Sequence, residues 1–118
     1  MVLWGKWLNI GFNFFNFLKG VNMFVLNVSY NKLPEVVAEH SATHGQWVKK
    51  YIDEGVFLCA GPKPSKLGGV ILAKSISKAR LLDIIKEDSF VIHDVAEYQI
   101  LEFDCKLASI AFDSIKGE

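Results

Sequence analysis

The stretch from Leu33 to Glu54, LPEVVAEHSATHGQWVKKYIDE, limits what the rest of the chain can become. Leu33, Val36, Val37, His40, His44, Trp47, Val48, Tyr51 and Ile52 recur at steps of three and four, with single steps where the stripe widens. That is the period of an amphipathic helix. Pro34 suits its first turn, where a missing N–H costs nothing. Gly55 supplies the stop. Glu35 and Glu39 lie near the positive end of the helix dipole, Lys49 and Lys50 nearer the other end. Two histidines one turn apart, His40 and His44, interrupt the apolar stripe. Gly45, a mid-helix cost of up to ~1 kcal/mol, follows the second. It is expected either to allow close helix–sheet packing or to leave space beside His44.

The remaining segments read as strands and a second helix assembled against this one. MFVLNVSY from Met23 alternates, with Phe24, Leu26, Val28 and Tyr30 on one side and Asn27 and Ser29 on the other, the pattern of a half-buried strand. Val56 to Ala60 is a short strand, the loop from Gly61-Pro62 to Gly68 follows by composition, and the nearly all-apolar Gly69 to Lys74 reads as a central strand buried on both faces. Ser75 or Ser77 is expected to cap a second helix, running to about Glu87. Ala79, Leu82 and Ile85 make one edge of its buried face, and Leu81 and Ile84 widen it. Glu87 to Asp94 reads as a loop with a turn of helix, and Ala96 to Phe103 as the last strand. There Tyr98, Ile100 and Glu102 oppose Gln99, Leu101 and Phe103. Residues 105–118 are expected to form a short helix or an arm that crosses to a second subunit. The resulting order, β-α-β-β-α-β, implies an α+β, ferredoxin-like domain with both helices on one face of the sheet. Apolar residues on the other face call for a cover, and sheet-against-sheet homodimerisation is the expected one.

Charge and cysteine content narrow the classes of function. Thirteen basic and thirteen acidic side chains cancel, and no basic stripe emerges, so nucleic-acid binding is not expected. Cys59 and Cys105 form no closely spaced motif. A free buried thiol is the expectation for Cys59, and a reducing cytoplasm for the protein. Residues 1–22, MVLWGKWLNIGFNFFNFLKGVN, hold six of the fifteen aromatics. They contain no apolar run long enough to span a bilayer and no signal-peptide cleavage site, so membrane contact is not expected. Codons for Lys19 to Asn22 can spell a purine-rich ribosome-binding site at a normal distance from the ATG of Met23. A translated leader is therefore the first expectation for this extension in a bacterium. An ordered arm over apolar surface and an interfacial amphipathic helix are the alternatives.

Chemistry concentrates on His44 and Asp88. A histidine beside a carboxylate becomes a fixed-tautomer base whose charged form is stabilised. In this fold a residue on the first helix can approach the loop that leaves the second. The competing reading makes His44 a satisfied boundary residue and Asp88 a cap for the turn at Ser89-Phe90. His40 and His44, with His93-Asp94, also have partial metal-ligand spacing. There is no H-E-x-x-H, and zinc wants at least three ligands, so neither a metal nor a cofactor is expected. The glycines at Gly61 and Gly68-Gly69 match no phosphate-binding motif. They read as turn residues, or as backbone N–H groups beside a pocket.

From Met23 to Phe103 the chain resembles the YciI-like (YCII-related) family. The carriers are MFVLNVSY, His44 eleven residues before Gly55, GVFLCAGP, GGVILAK, EDSF and AEYQILEF, in that order. The resemblance implies a domain over residues 23–104 that dimerises through its sheet into an α+β barrel, similar to muconolactone isomerase. It implies His44 and Asp88 as the active-site pair. Around that pair, His40, Trp47, Gly61, Pro62 and Phe90 are the expected substrate contacts. At least one member of that family is a dehydrochlorinase acting on a chlorinated hydroxyquinol. Ser89 stands where the family usually has proline, and His93-Asp94 where a glycine often follows, which implies a differently shaped or looser loop around Asp88. The expected function is a lyase or isomerase moving a proton on a small ring-like or hydroxylated molecule. A non-catalytic small-molecule binding protein, or a structural dimer using the aromatic extension, are the alternatives.

Overall fold

The computed structural model describes residues 20–74 and 76–112. Strand β1 (Asn22–Tyr30) leads into helices α1 (Pro34–Ala38) and α2 (Ser41–Asp53). The hairpin of β2 (Phe57–Pro62) and β3 (Gly68–Lys74) follows, then α3 (Lys78–Ile85), α4 (Ser89–Ile92) and β4 (Ala96–Asp104). The sheet order is β2-β3-β1-β4, with β3 antiparallel to both of its neighbours. This is the ferredoxin-like α+β arrangement that the element order implies. The chain divides into two compact units, Met23–Glu102 and a second made of Met1–Asn22 with Phe103–Glu118. In the second unit, Val21 and Cys105 exchange backbone hydrogen bonds of 3.1 and 2.8 Å, and a 3₁₀ turn spans Ile110–Phe112. The leader, arm or helix expected over residues 1–22 falls almost entirely on residues 1–19, outside the described residues.

Register sorts the side chains of the larger unit onto two faces. Phe24 pairs with Ala73 and Leu26 with Ile71, and all four are buried, at no more than 3% exposure. They meet Trp47 and Tyr51 of α2 and Leu81 and Ile84 of α3 in one core cluster. Burying an aromatic or aliphatic side chain of this size contributes roughly 1.5–3 kcal/mol. On the opposite face Val25 pairs with Leu72 and Asn27 with Val70, and Val70 is 39% exposed. The central strand β3 is therefore buried on one face only within the chain.

Four local expectations are corrected. The long helix from Leu33 to Glu54 is two helices, broken at Glu39–His40. The amides of Glu39 and His40 bond three residues back, to Val36 O and Val37 O. The Ser41 hydroxyl donates to Val37 O at 3.1 Å and the Thr43 hydroxyl to His40 O at 3.1 Å. Hydroxyls that take backbone carbonyls in this way compete with a continuous helix. The apolar stripe also runs short at its ends, since Leu33 and Ile52 are exposed. In α3, which Ser77 caps through the Arg80 amide at 3.1 Å, the buried face centres on Leu81, Ile84 and Ile85, and Leu82 is exposed. Cys59 is exposed rather than buried. A bulge in β2 between Phe57 and Cys59 leaves Leu58 as the extra residue. Cys59 thereby pairs with Leu72 on the open face instead of following Phe57 inward.

Candidate acid–base site

Asp88 is fully buried and sits at the N-terminus of α4, where its Oδ1 accepts the Phe90 amide at 3.1 Å. This is the capping role that a short acidic side chain before a helical turn performs. The same oxygen lies 2.7 Å from Nδ1 of His44. The other oxygen, Oδ2, accepts the Tyr98 hydroxyl at 2.5 Å. One carboxylate thus receives the α4 backbone, a side chain of α2 and a side chain of β4. Capping and proton chemistry are compatible uses of Asp88, not competing ones.

These contacts fix the tautomer of His44. An ionised carboxylate only accepts hydrogen bonds, so His44 Nδ1 carries the proton and donates it to Asp88. The remaining nitrogen, Nε2, is left with its lone pair. The ring is held in plane by stacking on Phe90, with centroids 3.9 Å apart and 9° between planes. Burial first, and then the charge and hydrogen bond of Asp88, push the Tyr98 hydroxyl well above the usual tyrosine range. It stays a neutral donor at any physiological pH.

His44 is partly exposed, at 20% of its side chain, and lines a cleft of about 280 Å³ between α2, α4 and the helix-side face of the sheet. Gly45, Gly61, Pro62 and Phe90 line the same cleft. A side chain added at Gly45 would meet nothing within 4 Å. Of the two readings of Gly45, open space beside His44 is the one the backbone supports. Among the described residues the cleft walls carry no Lys, Arg, Asp or Glu, and His44 is their one basic side chain.

The other expected contacts are placed elsewhere. Trp47 is buried, donates its indole N–H to Ile84 O at 2.9 Å and packs on Phe57, outside the cleft walls. His40 is also outside them: it precedes α2, and its ring stacks on His93 with centroids 4.0 Å apart. Among the described residues no group of three or more His, Cys, Asp or Glu side chains is arranged to hold a metal ion. The loop around Asp88 is anchored through Ser89. The Ser89 hydroxyl donates to His40 O at 3.0 Å, joining α4 to the break between α1 and α2. Asp94 adopts φ +53°, the left-handed conformation for which glycine is the easier residue.

Tyr98 is the site residue that sequence reasoning missed. On an alternating strand it looks like any half-buried aromatic. The available signal was its hydroxyl, because a tyrosine facing a core needs a polar partner.

Residues 23–102 thus form a ferredoxin-like α+β unit in which a buried carboxylate is bonded to a histidine on a cleft wall. The family model for the YCII-related domain matches residues 23–104, and the chain belongs to that family. No curated protein matches the chain. Among the described residues no helix is long and apolar enough to cross a membrane.

Proposed function

We propose that this protein is a lyase or isomerase that works without a cofactor on a small ring-like or hydroxylated molecule. His44 Nε2 takes a proton from a carbon next to a carbonyl or phenolic group. It then returns that proton, to a second carbon in an isomerisation or to the departing group in an elimination. Asp88 holds the ring and stabilises the imidazolium, with Tyr98 and the Phe90 amide holding Asp88 in turn. Gly61, whose backbone lines the cleft, would hold a substrate oxygen, and the apolar walls suit a ring. We further propose that the protein acts in the cytoplasm as a homodimer paired through its open sheet face.

The observation that carries this reading is the 2.7 Å bond between His44 and Asp88 at the wall of a cleft large enough for a ring. Histidine held by a buried carboxylate is a proton-transfer device whose contribution is typically 10²–10⁴-fold. The test is a turnover screen over hydroxylated aromatics and lactones, with His44→Ala and Asp88→Asn as controls. Loss of turnover by roughly 10²-fold or more in both variants is expected.

A second reading, a non-catalytic binding or sensing protein using the same cleft, has one observation in its favour. Among the described residues Tyr30 is the only titratable side chain on the cleft walls besides His44, so no carboxylic acid or ammonium stands beside the histidine to protonate a departing group. Ligands that bind the parent and both variants alike, with no turnover in any, would establish this reading and overturn the first.

A further inference from the structure

A second cleft, of about 230 Å³, lies against the first. Its walls include Lys32, Pro34, Val37, Lys66 and Leu67, and Tyr30 lines both clefts. Tyr30 meets Phe90 edge to face, with centroids 5.5 Å apart, and Phe90 stacks on His44. Three successive rings therefore connect the second cleft to the acid–base pair.

The two compartments differ in charge. Among the described residues the first has no Lys, Arg, Asp or Glu on its walls, while the second has two lysines and no carboxylate. Lys49, Lys50 and Lys86 each face an Asp or Glu oxygen within 3.9 Å. Among the described residues neither Lys32 nor Lys66 belongs to such a pair. Lys66 is also held in place by its backbone. Its amide bonds to Lys63 O, the Lys63 amide to Gly68 O and the Tyr30 amide to Leu67 O, all at 2.9 Å. It adopts φ +63°, a conformation that a lysine enters only at a cost. Two ammonium groups without a carboxylate partner, beside a cleft shared with a ring-sized site, form a receptor for an anion on the far end of a ring compound.

We propose that the bound molecule is a ring compound with an anionic substituent, the ring beside His44 and the anion between Lys32 and Lys66, with Tyr30 packed where the two parts join. This rests on the reading of the first cleft as a small-molecule site, and it narrows the substrate class of that site.

The experiment is an amide-resolved NMR titration of the full chain with benzoate and with benzamide, which have the same ring and differ in charge. Both probes are expected to move the Gly45 and Gly61 resonances, and benzoate alone those of Ser41 and Leu67 as well. K32Q/K66Q is expected to weaken benzoate about tenfold and leave benzamide unchanged. Salt at about 0.5 M is expected to weaken benzoate selectively in the parent. Both lysines are exposed, so the double variant should fold. If benzamide binds and the lysine variant does not alter its ratio to benzoate, the anion compartment alone is overturned. If neither probe moves Gly45 or Gly61, the first cleft fails as a ring site and the compartment fails with it.

Discussion

The Tyr98 hydroxyl donates to Asp88 Oδ2 at 2.5 Å, on the carboxylate oxygen that His44 does not use. Asp88 is fully buried, and a buried carboxylate is tolerated only when donors replace the water it loses. Tyr98→Phe keeps the ring and removes one of three donors. A buried acceptor left without a partner costs about 1–3 kcal/mol, so urea unfolding should show a loss of that size. With less of its charge shared by Tyr98, Asp88 should pull harder on the His44 Nδ1 proton, and that proton's NMR resonance should move downfield. An unchanged unfolding free energy and an unmoved resonance would mean that water substitutes for the hydroxyl and that Tyr98 does not support the pair.

The same bond makes stability depend on alkaline pH. Burial, then the charge and hydrogen bond of Asp88, raise the Tyr98 pKa in the folded chain. In the unfolded chain tyrosine releases its proton near pH 10. A raised folded value means that this stabilisation is complete below about pH 10 and is lost as pH climbs above it, because the unfolded state then holds fewer protons. One such group gives a slope of up to ~1.4 kcal/mol per pH unit. Urea midpoints measured from about pH 9 to 11 should fall in the parent, and less steeply in Tyr98→Phe. Parallel slopes in the two proteins would show that Tyr98 ionises freely in the fold.

Much of this site was legible in the order of residues. The alternation of Phe24, Leu26 and Val28 and the three-and-four spacing around Trp47 place strand and helix. The resemblance supplies His44 and Asp88 as partners, which spacing alone cannot, since they are 44 residues apart. What escaped depends on backbone detail that periodicity averages over. The spacing of His40 and His44 runs straight through a helix break, because a break that keeps the stripe in phase leaves no trace in the apolar pattern. The direction of Cys59 depends on one extra residue, Leu58, and nothing in VFLCA marks it. Trp47, an expected substrate contact, gives its N–H to the carbonyl of Ile84 and is not among the residues that line the cleft.

Gly45 offers a test of what the cleft is for. It lies inside α2, where glycine is less favourable than alanine by up to ~1 kcal/mol, and a methyl group there would meet nothing within 4 Å. Gly45→Ala is therefore expected to raise the melting temperature, by about 4 °C for a domain of this size. Gly45→Leu should project a larger side chain into the space beside His44 and reduce ring-probe binding in the NMR titration. A stabilised alanine variant with weakened ligand binding would show that the glycine is kept for access to His44. Leucine binding as well as the parent would show that ligands do not use this part of the cleft.

The open face of the sheet carries the last prediction. Val70 is 39% and Leu101 is 65% exposed within the chain. Val25 and Leu72, cross-strand partners on the same face, add apolar surface between them. A stable dimer buries about 800 Å² per partner around an apolar centre, and this face has the composition for such a centre. Leu101→Lys puts a charge on a side chain that the single chain leaves in water, so it should not disturb the fold itself. Sedimentation equilibrium of the parent is expected to give a dimer mass and that of Leu101→Lys a monomer mass, with matching circular dichroism. A parent that sediments as a monomer would leave the face to some other partner. A Leu101→Lys variant that remains a dimer would move the interface elsewhere on the chain.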